Sequence, residues 1–483
     1  MGELITATWP YLAAGFSLLL SVATAGHAII YKRDSRAAVG WVGLIWLAPV
    51  IGPVLYILFG VNRIRRQAAG IRGDEREHLD AVERHACSLD ALKAALPADS
   101  KHLVEMGRVT ERLTQLQLLR GNTIEPLCNG DEAYPAMLAA IDAASRSITL
   151  TTYIFGNDAA GRRFVAALDA AVRRGVQVRV LIDSVGARYS VPPVTGRLRA
   201  AGVPTARFMP SWAPWASPYW NLRSHRKILV VDGALGFTGG MNIRGNNLLL
   251  AGGSHPTRDV HFRVTGPVVH ELQAVFVEDW QFTTGERLTG ETWFPPIHGA
   301  GSVLARAVPD GPDKDYDKLR MAFQGALSVA RRSVRIVTPY FLPDAALIGA
   351  LNTSAMRGVE VDIVLPAANN LRLVAWASMA QLWQVLEWGC RVWMTPPPFD
   401  HSKLLVVDGV WSMIGSANWD PRSLRLNFEL GLECYDLDLA GRLEGLADAK
   451  IAEAYPLTLA AVDGRPLPVK LRDGLARLLA PYL

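Results

Sequence analysis

The chain contains the stretch Ser224-His225-Arg226-Lys227-Ile228-Leu229-Val230-Val231-Asp232-Gly233, which returns in the second half as Asp400-His401-Ser402-Lys403-Leu404-Leu405-Val406-Val407-Asp408-Gly409. Gly239-Gly240-Met241-Asn242 follows the first copy and Gly415-Ser416-Ala417-Asn418 the second, so 17 residues separate His from Asn in both. Two unrelated loops do not share His, Lys, Asp, Gly and Asn at the same offsets, and the chain reads as an internal duplication. Further correspondences lie upstream. Ser147-Ile148-Thr149-Leu150-Thr151-Thr152 matches Ser333-Val334-Arg335-Ile336-Val337-Thr338, and Arg174-Gly175-Val176 matches Arg357-Gly358-Val359, with Gly as a helix C-cap before a buried strand. Each half is therefore an α/β unit in which apolar strands alternate with helices.

Each motif reads as a hairpin whose Asp-Gly pair forms a two-residue turn. That register places Gly240 opposite His225 and Thr238 opposite Lys227, and in the second half Ser416 opposite His401 and Ile414 opposite Lys403. Side chains alternate across a strand, so an imidazole, an ammonium and an amide converge in each half. Asp232 and Asp408 fall at the other parity and in the turn, where their first role is structural: shaping the turn or holding a neighbour. Two halves related by a pseudo-twofold axis bring two histidines and two lysines around one tetrahedral phosphorus. A phosphodiester needs a nucleophile on one side, a proton donor in line on the other, and fixed positive charge on the equatorial oxygens. No carboxylate cluster with metal-ligand spacing accompanies the motifs, and no metal is expected.

The 483 residues exceed what one hydrophobic core supports. With 50 Lys and Arg against 45 Asp and Glu, the net charge of +5 lacks the footprint of a dedicated nucleic-acid binder. Cys87, Cys128, Cys390 and Cys434 form no C-x-x-C pair, which argues against a zinc ribbon or a disulfide framework.

Two segments lack formal charge, between Glu3 and Lys32 and between Arg36 and Arg63. Both exceed the roughly 20 residues that span a bilayer. The region before the first run has no basic residue, which favours a retained helix over a signal peptide. The second run carries Pro49 and Gly52-Pro53, so it kinks or re-enters, and the simplest reading is a helical hairpin. Arg63, Arg65, Arg66, Arg72 and Arg76 place the bulk of the chain in the cytoplasm. Residues 62–120 read as a helical connector packed on the catalytic unit. Trp212, Trp215, Tyr219 and Trp220 in a Pro-rich loop, and Leu248-Leu249-Leu250, suit a bilayer interface. The C-terminal stretch from Leu471 either lies on the membrane or packs on the core.

The paired H-x-K-x-x-x-x-D motifs, with the Gly-rich and Asn positions after them, resemble the signature of the phospholipase D superfamily, from about Leu118 to Cys434. The resemblance implies one compact two-lobed domain with a shared active site. One motif histidine then forms a phosphohistidine while the other acts as general acid and then base. It implies His225 and His401 in these roles, with His225 favoured as nucleophile, and Lys227 and Lys403 on the phosphate. Asp232 and Asp408 complete the catalytic motifs, and Gly240, Asn242, Ser416 and Asn418 line the substrate pocket. It also implies an acid after each motif that orients a histidine: Glu429 in the second half and Asp259, six residues farther from its histidine, in the first.

Within that superfamily, Lys32-Arg33-Asp34, Ala38-Val39-Gly40-Trp41, residues 53–60 and the ending Leu475-Ala476-Arg477-Leu478-Leu479-Ala480-Pro481 resemble the bacterial cardiolipin synthases with an N-terminal membrane hairpin. The implied organisation is a transmembrane hairpin at 1–62, a connector at 63–120, a first lobe at 121–300 and a second at 301–483. The implied reaction joins two phosphatidylglycerols into cardiolipin and glycerol at the bacterial cytoplasmic membrane, without cofactor or nucleic acid. The same residues serve a membrane-bound phospholipase D that hydrolyses phospholipids to phosphatidic acid.

Overall fold

The computed structural model describes residues 2–32, 35–60, 80–210, 222–251 and 255–480. The aromatic loop around Trp212 to Trp220 and the arginines between 63 and 76 lie outside the described residues. Two compact units are present.

The N-terminal unit is built on the helix Gly2–Tyr31, against which Ser35–Leu47 packs. Ala25, Ala28, Ile45 and Tyr56 form a small buried core. The Ser17 and Ser21 hydroxyls both donate to the Pro49 carbonyl, at 2.9 and 3.1 Å. That carbonyl is available because the chain breaks after Leu47 and restarts as the short helix Ile51–Leu55. Only Thr8–Tyr31, among the described residues, is long and apolar enough to cross a membrane. The second run is a 13-residue helix, and at 1.5 Å per residue it falls short of a hydrocarbon core of roughly 30 Å. The paired helices are there, but the prolines make the second a broken element rather than a straight span.

The larger unit holds both halves of the duplication. In the first, strands β1 (Leu118–Cys128), β2 (Ser147–Thr152), β3 (Gln177–Asp183), β4 (Thr205–Phe208), β6 (Ile228–Val231), β7 (Leu235–Gly239) and β9 (Val260–Thr265) form a sheet of order β4-β3-β2-β6-β7-β9-β1. In the second, β10 (Val303–Asp310), β11 (Ser333–Val337), β12 (Glu360–Pro366), β13 (Arg391–Thr395), β15 (Leu404–Val407), β16 (Trp411–Gly415) and β17 (Asn427–Tyr435) repeat it as β13-β12-β11-β15-β16-β17-β10. Strand β10 also pairs with β1, so the two sheets are continuous.

Two-residue strands cross between the lobes. β5 (Arg223–Ser224) runs parallel to the start of β17, and β8 (Thr257–Arg258) parallel to β14 (Phe399–Asp400). A core drawn from both halves, including Ile228, Val230, Phe262, Leu404, Val406 and Leu432, lies between separate cores for each lobe. The described part of the connector packs on the second lobe, where Leu92, Leu103 and Met106 join Leu319 and Phe323.

The hairpin register differs by one from the two-residue turn. Thr238 faces Ile228 and Ile414 faces Leu404, because three residues close each loop. Asp232 and Gly233 both take positive φ, 51° and 65°, as do Asp408 and Gly409 at 55° and 65°. Asp232 is held there because its carboxylate accepts from the backbone N–H groups of Ser145, Arg146 and Ser147. Asp408 does the same for Arg331, Arg332 and Ser333, and also meets His102 Nε2 of the connector at 2.7 Å. Each motif aspartate thus ties its hairpin to the turn entering β2 or β11.

Partial burial raises the Asp232 carboxyl, but the amide bonds outweigh it and hold the group below its usual value. This stabilisation is therefore present at neutral pH and disappears as pH falls through and below about 4. Asp232→Ala is expected to cost about 1 kcal/mol or more at pH 7, with the gap to the parent closing in acid. Urea midpoints at pH 7 and pH 3 measure both.

Candidate active site

The crossing strands determine which groups meet. With Thr257 and Arg258 paired to Phe399 and Asp400, the next residues, Asp259 and His401, are neighbours. With Asn427 and Phe428 paired to Arg223 and Ser224, the same holds for Glu429 and His225. The backbone N–H of His225 donates to Phe428 O at 2.8 Å, and that of His401 to Arg258 O at 2.7 Å. Each imidazole is consequently oriented by the carboxylate of the other lobe: His401 Nδ1 lies 2.8 Å from Asp259 Oδ2, and His225 Nδ1 lies 3.1 and 3.2 Å from the two Glu429 oxygens. Nδ1 of each ring thus faces an acid, and at His401 Lys403 Nζ also lies 3.0 Å from Nδ1 and 3.2 Å from Nε2.

Lys227 Nζ donates to His225 O at 2.6 Å, and Lys403 Nζ to His401 O at 2.5 Å. These bonds fold each lysine back over its own histidine. A Cβ built at Gly240 stands 2.7 Å from Asp259 and 3.1 Å from Lys403 Nζ, so this first-lobe glycine abuts the second lobe's cation. Gly239 and Gly415, at φ 142° and 149°, bend the chain after each hairpin. That bend, rather than pairing across the hairpin, turns residues 240 and 416 toward the site.

The two acids are not equivalent. Glu429 accepts from Ser416 Oγ at 2.5 Å, Ser423 Oγ at 2.6 Å and Asn427 Nδ2 at 3.1 Å. Burial pushes its carboxyl up, but His225, Lys227 and the Ser416 hydroxyl outweigh that and hold it below the usual range. Asp259 has Gly240 where Ser416 would stand, accepts from Val260 N at 2.8 Å, and burial raises it to about 6 despite Lys403. Burial lowers both histidines, His401 much further, because Lys403 and Lys227 add to the effect there while Glu429 opposes it at His225. Burial also brings Lys227 down to about 7 and Lys403 to about 8. Two buried cations this close cost less when an anion sits between them.

The remaining expected residues lie close by in different capacities. The Asn242 side-chain oxygen accepts from Ile154 N at 3.0 Å, and buried Asn418 donates its N–H to Ser423 Oγ at 2.8 Å. The carboxylates of Asp232 and Asp408 are engaged by the loop amides described above. Several contributors were not legible from the motifs. The Tyr153 ring lies edge-on to His225 at 5.2 Å, and Tyr340 and Phe399 wall His401 at 6.3 and 5.9 Å. Arg226, fully buried, donates to Glu429 O, Asp279 and Asp310 O, locking the first motif to the second lobe. Its position between His and Lys gave no sign of this, since the second copy has Ser402. Asn427 did carry a signal, being a polar residue two before Glu429 in a buried strand, and Ser423 lies in the short helix Pro421–Arg425 just before it.

A duplicated α/β unit with two acid-oriented histidines and two lysines defines a phospholipase D-type phosphoryl-transfer fold. A family described as cardiolipin synthase, PLD-like domain, matches residues 137–280 and 324–449, and the phospholipase D-nuclease N-terminal family matches 19–60. The chain is 31% identical to a cardiolipin synthase of Geobacillus thermodenitrificans over 100% of its own length and 97% of that protein. It is also 31% identical to the major cardiolipin synthase of Bacillus subtilis, over 94% of this chain and 96% of the other. The fold is similar to the crystal structure of a phosphatidylserine synthase from Haemophilus influenzae, with TM-score 0.62 at 16% identity, covering 78% of this chain and 100% of that one. The chain belongs to the cardiolipin synthase family.

Ser416→Ala removes a hydrogen bond that keeps Glu429 ionised. The acidic limb of the kcat/KM profile is expected to move to higher pH, because the carboxyl then protonates more readily, while Ser416→Thr retains the limb. Since the lysines are held near neutrality in the free protein, binding of inorganic phosphate at pH 8 is expected to take up protons. Calorimetry in buffers of differing ionisation enthalpy counts them.

Proposed function

We propose that the protein synthesises cardiolipin by transferring a phosphatidyl group between two phosphatidylglycerols through a phosphohistidine. The observation that carries this reading is the pair of buried imidazoles, each fixed at Nδ1 by the opposite lobe's acid and flanked by two lysines. Full-length similarity to named cardiolipin synthases supports the choice of substrate.

In this reading His225 Nε2 attacks the phosphorus of the first phosphatidylglycerol. The bond from phosphorus to the headgroup oxygen breaks, and protonated His401 gives its proton to the departing glycerol. Lys227 and Lys403 hold the nonbridging oxygens, whose negative charge restores the protonation that burial alone disfavours. The neutral His401 then removes the proton from the terminal hydroxyl of a second phosphatidylglycerol. That oxygen attacks phosphorus, the bond to His225 breaks, and cardiolipin leaves. His225 suits the nucleophile because Glu429, charged and held by three donors, supports the positive charge its ring gains on phosphorylation. His401 suits the acid and base because phosphate between the lysines offsets the repulsion that lowers it. Gly240, Asn242, Ser416 and Asn418 shape the pocket, Asp259 and Glu429 orient the rings, and Asp232 and Asp408 position the motif hairpins. The N-terminal helix anchors the enzyme in the bacterial cytoplasmic membrane, with the larger unit in the cytoplasm.

Purified protein in phosphatidylglycerol bilayers is expected to release cardiolipin and glycerol, and added glycerol to suppress net synthesis. His225→Ala and His401→Ala should each lower turnover by about 10³-fold or more without loss of the thermal transition. Acid-labile label from headgroup-cleaved substrate should map to the His225 peptide. Label on His401 reverses the two roles, and phosphatidic acid as the main product assigns the protein to hydrolysis instead.

A further inference from the structure

The helix Leu467–Leu478 packs on the second lobe by its small face only. Ala476 joins a buried cluster with Leu342, Val374 and Ala377, and Asp473 turns inward to Arg465 and Arg472. On the opposite side Leu467, Leu471, Leu475, Leu478 and Leu479 are 47% to 71% exposed. At 3.6 residues per turn these five fall within about 120° of the circumference. The row is flanked by Lys470 and Arg477, both exposed, and by Arg472, whose guanidinium lies 4.4 Å above Trp376. Asp473 is the only carboxylate on this helix and it is buried, so the exposed charge around the leucines is entirely basic.

The cluster that seats the helix reaches the active site. Tyr340 packs on the cluster that seats the helix and also walls His401, and its hydroxyl donates to Asn370 at 2.8 Å. Next to Asn370, Leu371 and Leu373 are 47% and 45% exposed, with Arg372 exposed between them. A leucine row with a basic margin, backed by the residue that lines the catalytic pocket, has the composition of a helix lying in the interface of an anionic bilayer. A second copy of the same face would bring like charges together along both margins.

We propose that the helix Leu467–Leu478, with Leu371 and Leu373, is a membrane-docking face of the larger unit, inserting its leucines among anionic phospholipids beside the His401 side of the pocket. The helix thus uses both of its sides, one on the protein core and one on lipid. The proposal does not depend on the reaction's outcome, and its first test needs no turnover. The full chain carrying Leu475→Cys in a Cys128→Ser background, where the other cysteines are buried, is labelled with an environment-sensitive fluorophore and reconstituted in nanodiscs containing phosphatidylglycerol. Quenching by doxyl-labelled lipid and protection from iodide are expected. In a second measurement, Leu471→Glu with Leu475→Glu should raise KM for bilayer substrate by about tenfold with the thermal transition retained. Iodide quenching without doxyl quenching overturns the proposal, as does an unchanged KM. A disulfide crosslink between two Leu475→Cys chains without doxyl quenching replaces lipid with a second copy as the occupant.

Discussion

Everything at the centre of this molecule depends on two short parallel pairings, residues 223–224 with 427–428 and 257–258 with 399–400. Each involves one strand from each lobe, and each ends at a histidine of one lobe beside an acid of the other. Neither lobe by itself orients its own imidazole. Backbone hydrogen bonds at His225 and His401, 2.8 and 2.7 Å long, fix the main chain at the point where the reacting rings leave it. Side-chain bonds then need to determine only ring rotation and tautomer. A duplication alone would give two half-sites; the exchange of strands makes them one.

The exchange also explains how so many ionisable groups are buried together. Lys227, Lys403, Asp259 and Glu429 are all within the protein, and burial shifts each lysine toward its neutral form. Two acids against two lysines leave the site near neutral, without strong attraction for a cation and short of the anion that would complete it. Beside the acids the lobes differ at residues 240 and 416. Ser416 adds a donor to Glu429, whereas at Gly240 a side chain would collide with Asp259. Burial raises Glu429 too, but His225, Lys227 and the Ser416 hydroxyl hold it below the usual range, whereas burial brings Asp259 to about 6. The proposed nucleophilic and acid-base roles draw on such a difference, which is obtained without disturbing the repeated backbone.

Much of this was legible in the sequence because repetition is a strong signal. The strands Ser147–Thr152 and Ser333–Val337 and both motifs announce the two-lobed α/β fold, and identical offsets identify His225, Lys227, His401 and Lys403 as a set. The register slipped by one because Asp232 and Gly233 both adopt left-handed conformations and Ala234 is needed to close the loop, a choice made by the amides of residues 145–147 rather than by the hairpin itself. The crossing strands were invisible because a two-residue element has no periodicity. The task of Arg226 was not legible for a related reason: its partners Asp279 and Asp310 are distant in sequence, and its counterpart, Ser402, has no similar task. The second apolar run had sufficient length for a span, but its prolines, visible in the sequence, determined that the helix stops at Leu47.

In the proposed mechanism the base histidine does not distinguish a lipid hydroxyl from water, since both would lose a proton to the same ring nitrogen. Choice between them must come from which oxygen reaches phosphorus. His225 and His401 are each 9% exposed, walled by Tyr153 on one side and by Tyr340 and Phe399 on the other. These rings border the two histidines, and one acceptor bound beside them displaces the other. A lipid held at a membrane surface presents its hydroxyl at high local concentration, while bulk water must pass the same aromatic walls to reach phosphorus. In the proposed reading, transfer over hydrolysis then follows from which acceptor meets the pocket rather than from any additional catalytic group.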